Sequence, residues 1–171
     1  AFLAALLVCG PAYGQVKYEA KDRVMNRGPA CWYASAETAG RIQKIDKLAG
    51  LVVEVHETKV GLHPQLGGKH DDYIYWAKRR GVSVSFNTGQ TWSAGAAWCA
   101  VNLDMGRPVI LCLRVRGAPT GHAVLLVDIE KVGGVISDTS TVTILDPDLP
   151  DPVRVPFKNV AWTGEAYVFI K

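Results

Sequence analysis

Three side chains have the types and placements needed for nucleophilic acyl chemistry: Cys31, His122 and Asp146. Cys31 lies in Gly28-Pro29-Ala30-Cys31-Trp32-Tyr33-Ala34-Ser35, at the first turn of an expected helix. Unpaired N–H groups and the positive end of the helix dipole favour an anion there, so a thiol so placed is drawn toward the thiolate, its nucleophilic form. His122 follows the loop Gly117-Ala118-Pro119-Thr120-Gly121 and opens the apolar run Ala123-Val124-Leu125-Leu126-Val127. An imidazole at the mouth of a central strand is anchored by backbone yet reaches a surface cleft, where it can take and return a proton near neutral pH. Asp146 ends a later strand. A hairpin folded symmetrically about Gly133-Gly134 would set it opposite His122, with Cβ atoms about 5 Å apart on one face. A carboxylate there orients the ring and stabilises an imidazolium. A bulge or an asymmetric loop would shift the pairing by one residue and put the two side chains on opposite faces. Each residue alone also fits an ordinary role: a cysteine before an apolar helix, a hydrogen-bonded histidine at a strand end, an aspartate in a strand-ending Asp146-Pro147 turn.

The elements that must position these residues follow from hydrophobic period and turn chemistry. After a mixed polar stretch from Gln15 to Arg27 and a turn at Gly28-Pro29, Ala30 to Leu48 reads as a helix with one apolar face, ended by Ala49-Gly50. Leu51 to Gly68 is ambiguous: a short run Val52-Val53-Glu54-Val55, then a Gly/Pro-rich loop. A second helix over Asp71 to Arg80 closes at Gly81 and leads into the alternating run Val82 to Phe86. A third helix, Ala94 to Met105, is expected to start from Ser93 as its cap and stop at Gly106. Beyond Pro108 only strands are expected: Val109–Val115, His122–Ile129, Val142–Leu145, Val153–Phe157 and Tyr167–Ile170. Helices first and strands after is an α+β pattern, with no linker to divide residues 15–171 into two domains.

With these elements in place the residues resemble a family. Cys31-Trp32 opening the first helix, Gly121-His122-Ala123-Val124 opening a strand and Asp146-Pro147 ending the next look like the ordered triad of papain-like cysteine peptidases. The nearest group is the double-glycine-leader, bacteriocin-processing type. Gly106-Arg107-Pro108-Val109-Ile110 resembles the segment that precedes the histidine strand in that group, and the likeness runs from about Met25 to Pro147. It implies a papain-like fold, with the nucleophile at a helix N-terminus packed on a C-terminal antiparallel sheet. It also implies a thiol protease acting through a Cys31–His122–Asp146 catalytic triad and a thioester acyl-enzyme, with a peptide or protein as substrate and no cofactor or metal. The family further carries an oxyanion-hole side chain, normally Gln, about six residues before the nucleophile. Met25 occupies that position here, and Asn26 is the nearby amide that would take the role beside the Cys31 backbone N–H. Deamidation or transglutamination on the same triad, and a non-catalytic exported binding domain, remain alternatives.

Composition narrows the field further. The chain has 49% hydrophobic and 20% charged residues, with 19 Lys+Arg against 16 Asp+Glu. This is globular composition, too apolar for disorder, and no repeat or heptad pattern is present. A net charge of +3 whose longest basic run is Lys78-Arg79-Arg80 gives no footprint for nucleic acid. Residues 1–14 differ from the rest: Ala1 to Val8 are apolar, and small residues at Ala12 and Gly14 follow. They read as the apolar and cleavage regions of a secretory signal peptide lacking its start, and therefore as the mark of an exported protein. An uncleaved, buried N-terminal segment is the other reading, and eight apolar residues are too few to span a bilayer.

Removing that segment takes Cys9 with it and leaves Cys31, Cys99 and Cys112. An odd count in an exported protein suggests a thiol with its own task. Cys99 on a helix and Cys112 on the next strand either form a disulfide or remain two buried thiols; both readings leave Cys31 over. Metal binding draws little support. His56, His63 and His70 with Asp71 and Asp72 lack ligand spacing, and Asp146, Asp148 and Asp151 read as a solvated turn rather than a calcium loop. Trp92, Trp98 and Trp162 read as core or cleft walls, and no phosphate-binding glycine loop follows a strand.

Overall fold

The computed structural model describes residues 15–61, 70–88, 91–115 and 121–171. The segment read as a signal peptide lies outside them, as does His63. Among the described residues four helices, α1 (Cys31–Gln43), α2 (Leu51–Thr58), α3 (His70–Arg80) and α4 (Trp92–Asp104), accompany six strands. The strands are β1 (Ser83–Asn87), β2 (Val109–Arg114), β3 (Gly121–Ile129), β4 (Thr141–Leu145), β5 (Val153–Pro156) and β6 (Trp162–Ile170). They form one antiparallel sheet in the order β1-β6-β2-β3-β4-β5. The fold class is thus α+β. The last strand, β6, enters the sheet between β1 and β2, so the strand between α3 and α4 joins the same sheet as the C-terminal run.

β2 and β3 sit at the centre, and Val109, Ile110, Leu111 and Ala123 to Val127 are buried in succession. A strand buried without alternation is covered on both faces; α1 and α4 each pack against β2, β3 and β6. α1 is not the one-sided helix its sequence suggests, for Cys31 to Gly40 are all buried. Small residues allow this. A Cβ at Gly40 would collide with Leu48, which folds back in a 3₁₀ turn over Asp46–Leu48 after α1 stops at Lys44 in the left-handed region (φ 55°). The helix expected to run on to Leu48 therefore ends a turn early.

Ser35, Glu37 and Thr38, buried on this helix, are each hydrogen-bonded, as burial favours. Ser35 Oγ donates to the Ala123 carbonyl at 3.2 Å, and Thr38 Oγ1 accepts the Val24 N–H at 2.9 Å. Glu37, 4% exposed, pairs with Arg41 at 2.9 Å and accepts the Val52 N–H at 3.0 Å. That last bond resolves the ambiguous Val52–Val55 run as helix: α2 follows Gly50, which has no capping side chain, and receives its cap from another element instead. α4 likewise starts before the expected Ser93, at Trp92, with Thr91 in the cap position.

Glu37 thus ties α1 to α2. Glu37→Ala strips a buried N–H and Arg41 of their acceptor, and is expected to cost about 2 kcal/mol of folding stability in urea denaturation; a loss within the range of an exposed-surface substitution would contradict this role.

Candidate active site

Ala30, the residue before α1, offers no capping side chain, and no acidic residue lies in the first turn. The N–H groups at that end are left for whatever anion the site holds. Cys31, the first residue of α1, is buried there, and its Sγ accepts the Ala123 N–H at 3.4 Å. His122, one residue earlier on β3, lines the same cleft as Cys31, and the two side chains interact. On its other side His122 Nε2 lies 2.8 Å from Asp146 Oδ1, with the two side chains only 17% and 19% exposed. With Nε2–H given to Asp146, Nδ1 is the nitrogen left for the thiol. Cys31, His122 and Asp146, the three residues singled out in the sequence, stand side by side.

They meet by a different register from the symmetric hairpin. β3 and β4 pair Leu125 with Leu145 and Leu126 with Ile144, so the ladder extended would bring His122 opposite Asp148. The offset from Asp146 is two residues, and an even offset keeps both on one face. Beyond Leu126 the register shifts by one at a bulge near Val127, but this lies on the loop side of the hairpin and leaves the site end intact. Asp148 does approach the ring, with Oδ2 3.9 Å from His122 Nδ1.

The turn after β4 is itself braced. Asp146 Oδ1 accepts the Asp148 N–H at 2.9 Å, and the Leu149 N–H bonds to the Asp146 carbonyl at 3.1 Å. The Arg23 guanidinium donates to the carbonyls of Asp146 (3.1 Å), Leu149 (2.6 Å) and Pro150. Sequence patterning gave no sign of Arg23, because it acts on backbone carbonyls more than a hundred residues away.

Asn26 belongs to this brace rather than to an oxyanion hole. Its Nδ2 donates to Asp148 Oδ1 at 2.7 Å, its Oδ1 accepts the Ala30 N–H at 3.1 Å, and its backbone N–H bonds to Pro147 at 2.8 Å. It does not line the cleft at Cys31. Cys99 and Cys112 are free thiols with no bridge between them. Cys99 is buried in the core on α4, whereas Cys112 lines the cleft with Cys31, Trp32, Tyr73 and His122. Burial pushes both thiols up to about 12. That cleft, about 170 Å³ in volume, also takes in Thr163 and Glu165 of β6.

Among the described residues one group could hold a metal ion: His122, Asp146 and Asp148, with donor atoms within 4.8 Å of one another. Asp151 is not part of it, and His70 instead bonds Tyr167 Oη at 3.0 Å. No protein-family model and no curated protein matches the sequence.

The hydrogen bond to Cys31 raises the His122 pKa most; burial opposes it and Asp146 adds to it, with a net rise from 6.5 to about 9. The imidazolium is therefore the favoured form at neutral pH. A histidine raised on folding contributes stability that is fully present below pH 6.5 and is lost as the pH rises through about 9. The urea midpoint of the wild type should fall over that window more than that of His122→Gln. Cys31→Ala, which removes the largest cause, should flatten the fall. Identical pH profiles for all three proteins would contradict the assignment.

Proposed function

We propose that this chain is a cysteine peptidase of the papain-like kind, exported from the cell. The observation that carries the reading is His122 set between a helix-terminal Cys31 and Asp146, hydrogen-bonded to the latter, beside an open cleft. An imidazolium with a thiol at a helix N-terminus supports a thiolate–imidazolium pair ready to attack a carbonyl. In the proposed reaction Cys31 Sγ adds to the scissile carbonyl carbon, and the oxygen becomes an oxyanion facing the uncapped N–H groups at the start of α1. His122 gives its proton to the leaving amine as the C–N bond breaks and the thioester forms. It then takes a proton from water, whose oxygen attacks the thioester and releases the acid and the thiolate. Asp146 keeps the ring turned toward the sulfur throughout.

With Asn26 bonded to Asp148, the hole rests on backbone donors alone. Loss of one donor raises a barrier of this kind by about 3 kcal/mol, or on the order of 100-fold in rate. That observation favours a second reading, a binding domain that retains the fold without turnover.

A peptide-library digest followed by mass spectrometry separates the readings. The wild type is expected to cleave, Cys31→Ala to be inactive, and Asp146→Asn to lose about 100-fold or more in kcat. Glutamine converted to glutamate without chain cleavage would assign deamidation instead, and no reaction with any peptide would favour the binding domain.

A further inference from the structure

The wall of the cleft opposite α1 is shaped by an irregularity in β6. Leu111 of β2 faces Ala166, but Leu113 faces Trp162, so Cys112 alone stands against three residues, Thr163, Gly164 and Glu165. Gly164 makes the excursion possible with φ of 93°, a conformation a side chain would oppose. The bulge is then fixed by its own groups. Thr163 Oγ1 donates to the Cys112 carbonyl at 3.0 Å and accepts the Glu165 N–H at 3.3 Å, while Trp162 Nε1 donates to the Glu165 carbonyl at 2.8 Å. A bulge beside a site re-aims a side chain, and here the side chain re-aimed is Glu165, which lines the cleft with Cys31 and His122.

The polar groups of the bulge that these bonds involve are backbone, the Thr163 hydroxyl and the Trp162 indole N–H. The Glu165 carboxylate makes no hydrogen bond or ion pair among the described residues. Its charge is nonetheless felt inside the cleft: after burial, it is the next cause of the raised Cys112 thiol, and it also raises Tyr167. A substrate seated in the cleft covers this carboxylate, and covering an unpaired charge is costly unless the substrate brings the opposite one.

Resting on the peptidase reading, we propose that Glu165 is a specificity-determining residue, selecting substrates that carry a cationic nitrogen, an ammonium or guanidinium, close to the carbonyl attacked by Cys31. The cation can come from a Lys or Arg side chain or from a free N-terminal amine, and the chemistry recognised is the same. Neutral substrates leave the carboxylate covered and unpaired, and acidic ones add repulsion.

Two measurements test this. In the first, a cleaved peptide is varied at each position around the scissile bond among Lys, norleucine and Glu, with the N-terminus free or acetylated. The wild type should favour Lys over norleucine in kcat/KM by about tenfold at one position, or favour the free amine by the same factor if that is the source. In Glu165→Gln the ratio should approach one, and in Glu165→Lys the peptide carrying Glu should gain. A wild type without such preference, or a preference that survives in Glu165→Gln, would overturn the proposal.

The second measurement does not depend on hydrolysis. Cys31 is modified by 2-aminoethyl methanethiosulfonate, a cation, or by methyl methanethiosulfonate, which is neutral; in each case the sulfur displaces methanesulfinate to form a mixed disulfide, mapped by mass spectrometry. The cationic-to-neutral rate ratio should drop several-fold in Glu165→Gln. An unchanged ratio overturns the role of Glu165 whether or not any peptide is cut, whereas a dropped ratio with no peptide cleaved overturns only the peptidase reading.

Discussion

The 2.8 Å hydrogen bond between His122 Nε2 and Asp146 Oδ1 is the constraint on which the site depends. It fixes which ring nitrogen is left for Cys31, and it requires three distant pieces of chain to hold a common position. The antiparallel pairing of β3 and β4 brings the ends of the two strands together. Arg23, donating to backbone carbonyls of the turn after β4, keeps Asp146 from drifting with that turn. The packing of α1 on β3, pinned by Ser35 on the Ala123 carbonyl, sets the thiol against the ring. Together these contacts place His122 between Cys31 and Asp146, the arrangement the proposed reaction needs.

Charge follows from that geometry. Flanked by Cys31 and Asp146, His122 is raised to about 9 despite its burial. Cys99 and Cys112, with no such partner, are pushed up by burial to about 12. Cys31 differs from both in place: it opens α1, with His122 on the same cleft. The Ala123 N–H aimed at the Cys31 sulfur at 3.4 Å adds a backbone donor to the same end.

How far this was legible in the sequence depended on whether a feature was local. The 3.6-residue and two-residue periods located α3, α4 and most strands to within a few residues, although β6 starts at Trp162 rather than Tyr167, and the order Cys31, His122, Asp146 identified the cluster. The hairpin expected about Gly133-Gly134 was two residues out of register, yet parity alone decided that His122 and Asp146 share a face, and parity was preserved. What escaped were interactions made across the fold. Glu37 caps α2 from another helix, so Leu51–Thr58 could not be told from a strand by its own residues. Asn26 has the chemistry of an oxyanion donor and lies one residue from the expected position, but its amide bonds Asp148. The β6 bulge was hidden because the last strand was expected to begin only at Tyr167, and Thr163-Gly164-Glu165 is known as a bulge only from Cys112 standing opposite it.

The proposed reaction requires Cys31 to react as a thiolate beside His122. Alkylation by iodoacetamide as a function of pH, with the labelled cysteine mapped by mass spectrometry, tests it most directly, because only the thiolate reacts. The account predicts that Cys31 alone is labelled rapidly below pH 7 and that His122→Ala slows this labelling sharply. Labelling of Cys31 that begins only near pH 8.5, the range of an ordinary cysteine, and is unchanged in His122→Ala would contradict it.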